Sequence, residues 1–329
     1  MSTSESPVAI PSSTVLNGVV FSYYRTLGAG TFGTVCQMVS QEGTSIAMKV
    51  MKNDTQARQT QNRHEIAIMS SLHHPNIVQF YSAQDVFYST CITMEFAPFG
   101  TLDRLIYDKS QPQLSIASIR NLFRQMVSAV SYIHMSRIAH CDLKPGNMLL
   151  AQGNVLKICD FGLAHKFPVN EYGFEVPGAF DPTSPYGTRP YLGTEAFNSP
   201  VKALGQRSLG TKDDVWALGI TLFLMLNRAY PWVKAIPEDE KYRNWYWQGT
   251  MDLQVKVSKK TREVLKRCFT ADERSRPTIQ QIAELEYVRP DPSQWGQPTA
   301  DCTPPIGHYV VVNLPGYNCW QGIPIPQLL

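Results

Sequence analysis

Residues 215–226, VWALGITLFLML, form the longest apolar run in the chain. As a helix they would be about 18 Å long, too short for the roughly 30 Å hydrocarbon core of a bilayer. A helix that is apolar all round must instead be enclosed by other protein. The chain therefore has to build a core thick enough to bury it. Its 329 residues, 43% hydrophobic and 17% charged, supply that core. The length suits one domain of two lobes, or two small domains. No other run suggests a membrane span, so a soluble protein is expected. The N-terminal MSTSESPVAIPSST lacks a basic region followed by an apolar core, so it does not read as a signal peptide. Net charge is only +3 and no Lys/Arg cluster adds to it, so nucleic acid is not an expected partner. Seven cysteines without metal-site spacing fit a reducing compartment, hence an intracellular protein of the nucleus or cytoplasm. Nothing in the sequence sets an oligomeric state.

The pattern changes along the chain. Residues 1–18 are rich in Ser, Thr and Pro and read as a mobile arm. From Val19 to Glu95, VVFSYYRTL, TVCQMV, TSIAMKVM, IVQFYS and TCITME read as short strands. One helix interrupts them after Arg58, with Ile66, Met69 and Leu72 at helical spacing and His73-His74-Pro75-Asn76 as its stop. From Thr101 helices dominate. Ile119, Leu122, Phe123, Met126, Val127, Val130 and Ile133 follow the i, i+3, i+4 rule of a core-facing helix. Further helices are expected near Asp213, Ser258 and Thr278. Residues 289–329 are rich in Pro and Gly and read as a tail draped on the domain. The fold expected is α+β: a β-rich part over 19–96 with one main helix, then a helical part over 101–288.

Leu27-Gly28-Ala29-Gly30-Thr31-Phe32-Gly33-Thr34-Val35 contains G-x-G-x-x-G. Such glycines let backbone N–H groups approach phosphates, and a dinucleotide-binding turn has the same spacing. A dinucleotide fold needs a helix straight after the glycines. Here a strand-like Thr34–Val39 follows, so a strand–loop–strand flap is expected, with an ordinary hairpin as the plain alternative. Lys49 lies on the next strand, within reach of α- and β-phosphates. Glu65, on the single helix of this region, would fix Lys49 by an ion pair.

Two further stretches carry the chemistry: Ile138-Ala139-His140-Cys141-Asp142-Leu143-Lys144-Pro145-Gly146-Asn147-Met148-Leu149-Leu150, and Lys157-Ile158-Cys159-Asp160-Phe161-Gly162. Together with the flap, the lysine and the helical glutamate, all in this order, they resemble the protein kinase family. Its catalytic loop reads H-R-D-L-K-P-x-N and its metal motif D-F-G. The resemblance covers about residues 19–288. It implies a bilobal kinase fold, ATP and Mg²⁺ as cofactors, and protein substrates with Ser/Thr acceptors. Asp142 would accept the substrate proton, Lys144 would offset charge on the moving phosphoryl group, and Asn147 and Asp160 would hold the metal. Val35, Ala47 and Leu149 would sandwich the adenine, with Met94 as gatekeeper and the backbone from Glu95 to Ala97 bonding the base. His140 and Phe161 would stack. Thr188, in Gly187-Thr188-Arg189-Pro190-Tyr191-Leu192-Gly193-Thr194-Glu195, would join the catalytic contacts. Asp214 would brace the catalytic loop from the buried helix, and Arg276 would pair with Glu195.

Lys144 with Thr188 implies serine/threonine acceptors. The stretch from Asp214 to Trp245 is similar to checkpoint effector kinases of the calmodulin-dependent-kinase-like group. The sequence departs from that pattern in its short tail, in Thr101 and Gly146 where substrate-selecting glutamates usually stand, and in Cys141 for Arg. The first loss should weaken selection of a basic residue upstream of the acceptor; the second should free activity from phosphorylation of the loop that holds Thr183 and Ser184. Cys141 and the altered Gly193-Thr194-Glu195 also leave open a non-catalytic scaffold. A small-molecule kinase and a calmodulin-regulated enzyme fit less well, the latter because the tail has no basic amphipathic helix.

Overall fold

The computed structural model describes residues 10–30, 33–110, 112–171, 175, 200, 209–289 and 311–313. The chain divides into two compact units. The first comprises residues 1–62, 80–96 and 305–329, and the second residues 63–79 and 97–304.

The first unit is a sheet of order β1-β2-β3-β4-β6-β5-β11. Its strands are β1 (Ser13–Leu16), β2 (Val19–Gly30), β3 (Gly33–Ser40), β4 (Ser45–Lys52), β5 (Phe80–Val86), β6 (Ser89–Glu95) and β11 (Val311–Asn313). Alternation sorts the side chains by face. Phe21, Cys36, Met38, Ile46, Met48, Val50 and Cys91 make an apolar core, with Ile10, Leu16, Tyr81 and Val86 packed against it. Burial pushes the Cys36 thiol up to about 11 and Cys91 to about 12, so both behave as small apolar residues. The sequence reads residues 1–18 as a mobile arm, yet Ser13–Leu16 pairs antiparallel with β2. Thr14 is buried there and accepts a hydrogen bond from Gln84 Nε2 at 3.1 Å. The tail contributes a strand as well: Val311–Asn313 pairs parallel with β5.

Helix α1 (Gln56–Met69) starts before Arg58 and ends ahead of Leu72. The second unit holds α2 (Leu102–Tyr107), α3 (Ile116–Met135), α4 (Gly210–Asn227), α5 (Glu240–Gln248), α6 (Lys259–Cys268) and α7 (Ile279–Ala283). All seven apolar residues that mark α3 in the sequence are buried. Ser115, Asp239, Ser258 and Thr278 cap α3, α5, α6 and α7 through their side chains. The sequence signals near Ser258 and Thr278 are therefore caps, one residue outside their helices. Helices α2 and α5 have no counterpart among the sequence expectations.

Helix α4 contains the apolar run and is buried at every position from Asp213 to Asn227. Its N-cap, Leu209, has no polar side chain to offer. Two glutamates from elsewhere take that role. Glu273 accepts the Leu209 N–H at 2.9 Å, and Glu175 accepts those of Gly210 at 3.0 Å and Thr211 at 3.3 Å. A carboxylate at a helix N-terminus also opposes the macrodipole favourably. Around α4 lies an aromatic cluster: Trp216 is 5.6 Å from Trp232 and 5.2 Å from Phe269 between ring centroids. Arg276, 1% exposed, sits 4.9 Å over the Trp216 ring and donates to the carbonyls of Thr270 and Lys212, both at 2.9 Å. Its expected partner Glu195 lies outside the described residues.

At Gly219, α4 closely approaches the end of α6. A Cβ there would lie 2.6 Å from Cys268 Cβ and 2.8 Å from Phe269 Cε1. Gly219→Ala should therefore lose about 1–3 kcal/mol of stability through overpacking. Urea and thermal unfolding would check this; an unchanged midpoint would contradict the close contact.

Candidate active site

In the first unit the glycine stretch forms the β2–β3 hairpin, with Gly28 opposite Val35, Ala29 opposite Thr34 and Gly30 opposite Gly33. Gly33 has φ +131°, and a Cβ on it would be 2.4 Å from the Val50 carbonyl oxygen. No other residue fits there. At Gly28 and Gly30 a Cβ would meet nothing within 4 Å, so these two leave space above the backbone. Thr31 and Phe32 lie outside the described residues. Next in the sheet, Val35 pairs with Lys49 and Ala47 with Met94. Directly opposed residues share a face, so Val35, Ala47, Lys49 and Met94 stand together on the face away from the apolar core. Lys49 is buried. Glu95, opposite Ile46, ends β6. Leu27 is exposed on β2.

The second unit gathers the other set. After β7 (Ile138–Ala139) the chain makes a tight loop into β8 (Met148–Ala151), which pairs with β9 (Val155–Ile158). Lys144 Nζ lies 2.8 Å from Asp142 Oδ2. Asn147 Nδ2 donates to Asp142 Oδ2 at 2.9 Å and to the Asp142 carbonyl at 2.8 Å. One residue thus fixes both the backbone and the carboxylate of Asp142, leaving its own amide oxygen as an acceptor. The Asn147 carbonyl accepts the Cys159 N–H at 3.0 Å, which ties the residue before Asp160 to the loop. His140 Nε2 is 3.1 Å from the Cys159 carbonyl, and its ring is 4.9 Å from that of Phe161. Asp160 has φ +64°, a strained backbone for a non-glycine residue. Leu149 is half-buried on β8 and Ala97 is buried. Glu65 is 1% exposed on α1, next to His64, whose Nε2 lies 3.0 Å from the Ala164 carbonyl. Thr188 lies outside the described residues.

Asp214, on α4, holds this loop from beneath. Its Oδ2 accepts the His140 N–H at 2.8 Å and lies 2.8 Å from His134 Nε2, and its Oδ1 accepts the Cys141 N–H at 2.9 Å. Burial alone would push the Asp214 carboxyl up. The hydrogen bond and charge of His134, with His140 behind it, outweigh burial and hold it below its ordinary value. Cys141 then takes φ +63°. Its Sγ is 3.6 Å from Nδ1 of His165 on β10 (His165–Lys166), the strand paired with β7.

Residues 21–288 match the protein kinase domain family. The chain belongs to that family. It is 32% identical over 215 residues to the human NUAK family SNF1-like kinase 2, covering 64% of this chain and 31% of that protein. It is 30% identical over 282 residues to the serine/threonine-protein kinase chk-1 of Caenorhabditis briggsae, covering 83% of this chain and 54% of that one. It is 28% identical over 265 residues to rat myosin light chain kinase 2, skeletal/cardiac muscle, covering 78% and 40%. The chain thus spans about a third to a half of the length of these relatives. These kinases bear out the group that the sequence resemblance names.

Sequence reasoning missed His134, His64, His165 and Glu175. His134 continues the buried face of α3 one residue past Ile133, so the helical pattern would have shown its burial but not its partner. The Asp214 carboxyl, held low, stabilises the fold above the ordinary carboxyl range, and that stabilisation is lost as pH falls through its folded value. Asp214→Asn should cost about 2 kcal/mol at neutral pH, the scale of a charged hydrogen bond. Urea unfolding at several pH values should show the gap to wild type narrowing under acid. A gap that is constant with pH would contradict the assignment.

Proposed function

We propose that this chain is a serine/threonine protein kinase that transfers the γ-phosphoryl group of ATP to hydroxyls of protein substrates. The observation that carries the reading is the Asp142–Lys144–Asn147 cluster of the second unit. A carboxylate held by both an ammonium and an amide is pre-oriented to accept a hydroxyl proton. The substrate oxygen attacks the γ-phosphorus, the bond from that phosphorus to the β–γ bridging oxygen breaks, and ADP leaves with the electron pair. Lys144 offsets charge on the equatorial oxygens. The first unit supplies Lys49 for the α- and β-phosphates and backbone N–H groups beside Gly28, Gly30 and Gly33. In the first unit Val35, Ala47, Met94 and the Glu95 backbone are assigned to the base; in the second Leu149 and the Ala97 backbone are assigned to the base and Glu65 to the role of the family's helical glutamate.

Mg²⁺ fits the donors of the second unit. Asp160 offers a carboxylate and Asn147 its amide oxygen, both hard oxygen ligands. Among the described residues no three His, Cys, Asp or Glu side chains cluster as a metal cage. Magnesium prefers such a sparse set completed by water and phosphate oxygens. When bound it neutralises phosphate charge.

Two departures from the family pattern bear on regulation and specificity. Cys141 faces His165, whose pKa burial holds below its usual value, so the imidazole is neutral at neutral pH and no arginine stands at 141 for a phosphate to balance. Thr183→Ala and Ser184→Ala should therefore retain activity; complete loss at either would overturn this point. Gly146 lacks a carboxylate, but Asp103 Oδ2 lies 3.7 Å from where its Cβ would be. One carboxylate instead of two supports a weak preference for a basic substrate residue.

The thiols of Cys36, Cys91 and Cys268, free among the described residues, support residence in a reducing compartment, nucleus or cytoplasm. No helix among the described residues is long and apolar enough to cross a membrane.

Asp142→Asn should cut phosphorylation of an unbiased Ser/Thr peptide library by about 10²–10⁴-fold while nucleotide binding persists. The same library should show the weak basic preference vanish in Asp103→Asn. Nucleotide binding without turnover in the wild type would favour a non-catalytic scaffold instead.

A further inference from the structure

Read as a string, residues 259–267, KKTREVLKR, hardly stand out. Folded, they do, and the expectation that no Lys/Arg cluster exists is corrected here. Helix α6 buries Thr261, Val264, Leu265 and Cys268. That turns Lys259, Arg262, Lys266 and Arg267 to the opposite, exposed side. These four cations and Glu263 line a groove of about 990 Å³ whose other wall is α5 with its Trp245 and Tyr246. Lys260 is taken up by an ion pair with Glu286. The four groove cations have no ion-pair partner among the described residues. Tyr246, 52% exposed, lines the groove, and the adjoining Trp247, 74% exposed, packs against it with ring centroids 4.9 Å apart at 90°. Two large aromatic rings thus stand in water beside these cations, in a groove remote in sequence from every residue assigned to catalysis.

We propose that this α5–α6 groove docks an acidic segment of a protein partner, with Asp/Glu side chains on Arg262, Lys266 and their neighbours and an apolar side chain on Trp247. Four cations against one carboxylate give the charge complementarity that steers such a segment in. Trp and Arg are the residue types that carry binding energy at interfaces. The groove is concave and has two walls, which suits an extended chain. A membrane surface would need a protruding apolar face, and the net charge of +3 is small for a polyanion such as nucleic acid. A second cavity of about 350 Å³ shares Trp245 and is lined by Asn227 and Trp232. Among the described residues their Nδ2 and Nε1 hydrogens are buried without an acceptor.

The test is fluorescence anisotropy on the full chain. The probes are fluorescein-labelled 12-residue peptides with Asp/Glu interspersed with Leu or Phe, matched peptides with Lys in the acidic positions, a single-stranded oligonucleotide, and phosphatidylserine vesicles. Acidic peptides should bind, more weakly as salt rises. Arg262→Glu with Lys266→Glu should weaken them about tenfold, as should Trp247→Ala. All three residues are exposed, so the variants should melt like wild type, and the double variant should gain binding to the Lys peptide. Failure of every acidic peptide to bind, or an affinity indifferent to charge reversal, would overturn the proposal. So would binding of the oligonucleotide or the vesicles in place of the peptides.

Discussion

A single carboxylate, Asp214, sets the terms for the second unit. It sits in a helix whose other residues are almost all apolar and buried. An ionised carboxylate can persist there only if its oxygens are met by donors. The donors are His134 from α3 and the backbone N–H groups of His140 and Cys141. Because two of the three belong to the main chain of the catalytic loop, satisfying the charge and positioning the loop are the same event. The left-handed backbone of Cys141 and the placement of Asp142 beside Lys144 and Asn147 follow from it.

The helix that carries Asp214 is itself held by charge at one end and by packing along its length. Glu175 and Glu273 accept its first N–H groups, replacing the cap that Leu209 cannot supply. Burial raises the pKa of both glutamates, so protonating them favours the folded state as pH falls, opposite in sign to the Asp214 brace. Along the helix, Gly219 allows contact with Cys268 and Phe269, and Trp216 packs between Arg276 and the aromatic cluster. The first unit solves a different problem. Its sheet assigns one face to an apolar core and the other to Val35, Ala47, Lys49 and Met94, and Gly33 lets the flap turn close over Val50.

What the sequence reveals is what local periodicity and short motifs encode. Helix α3 is visible from its seven apolar positions and α4 from its apolar run, and the residues of the catalytic loop are contiguous. What it conceals depends on folding. Helix α5, EKYRNWYWQ, buries only Tyr242, so no apolar stripe announces it. Strand β1 is built of Ser13, Thr14, Val15 and Leu16, a composition that reads as an arm until β2 pairs with it. Glu175 reaches Gly210 across 35 positions of sequence, a distance no pattern spans. The basic face of α6 is interrupted in sequence by Thr261, Glu263, Val264 and Leu265. Only the helical turn brings Lys259, Arg262 and Lys266 to one side.

Amide hydrogen exchange at His140 and Cys141, in wild type and in Asp214→Asn, measures the brace directly. With the carboxylate in place both amides should exchange only through large-scale unfolding, and in the variant they should open locally and exchange much faster than the amides of α3. Equal protection of these two amides in both proteins would show that the loop is held by something other than Asp214.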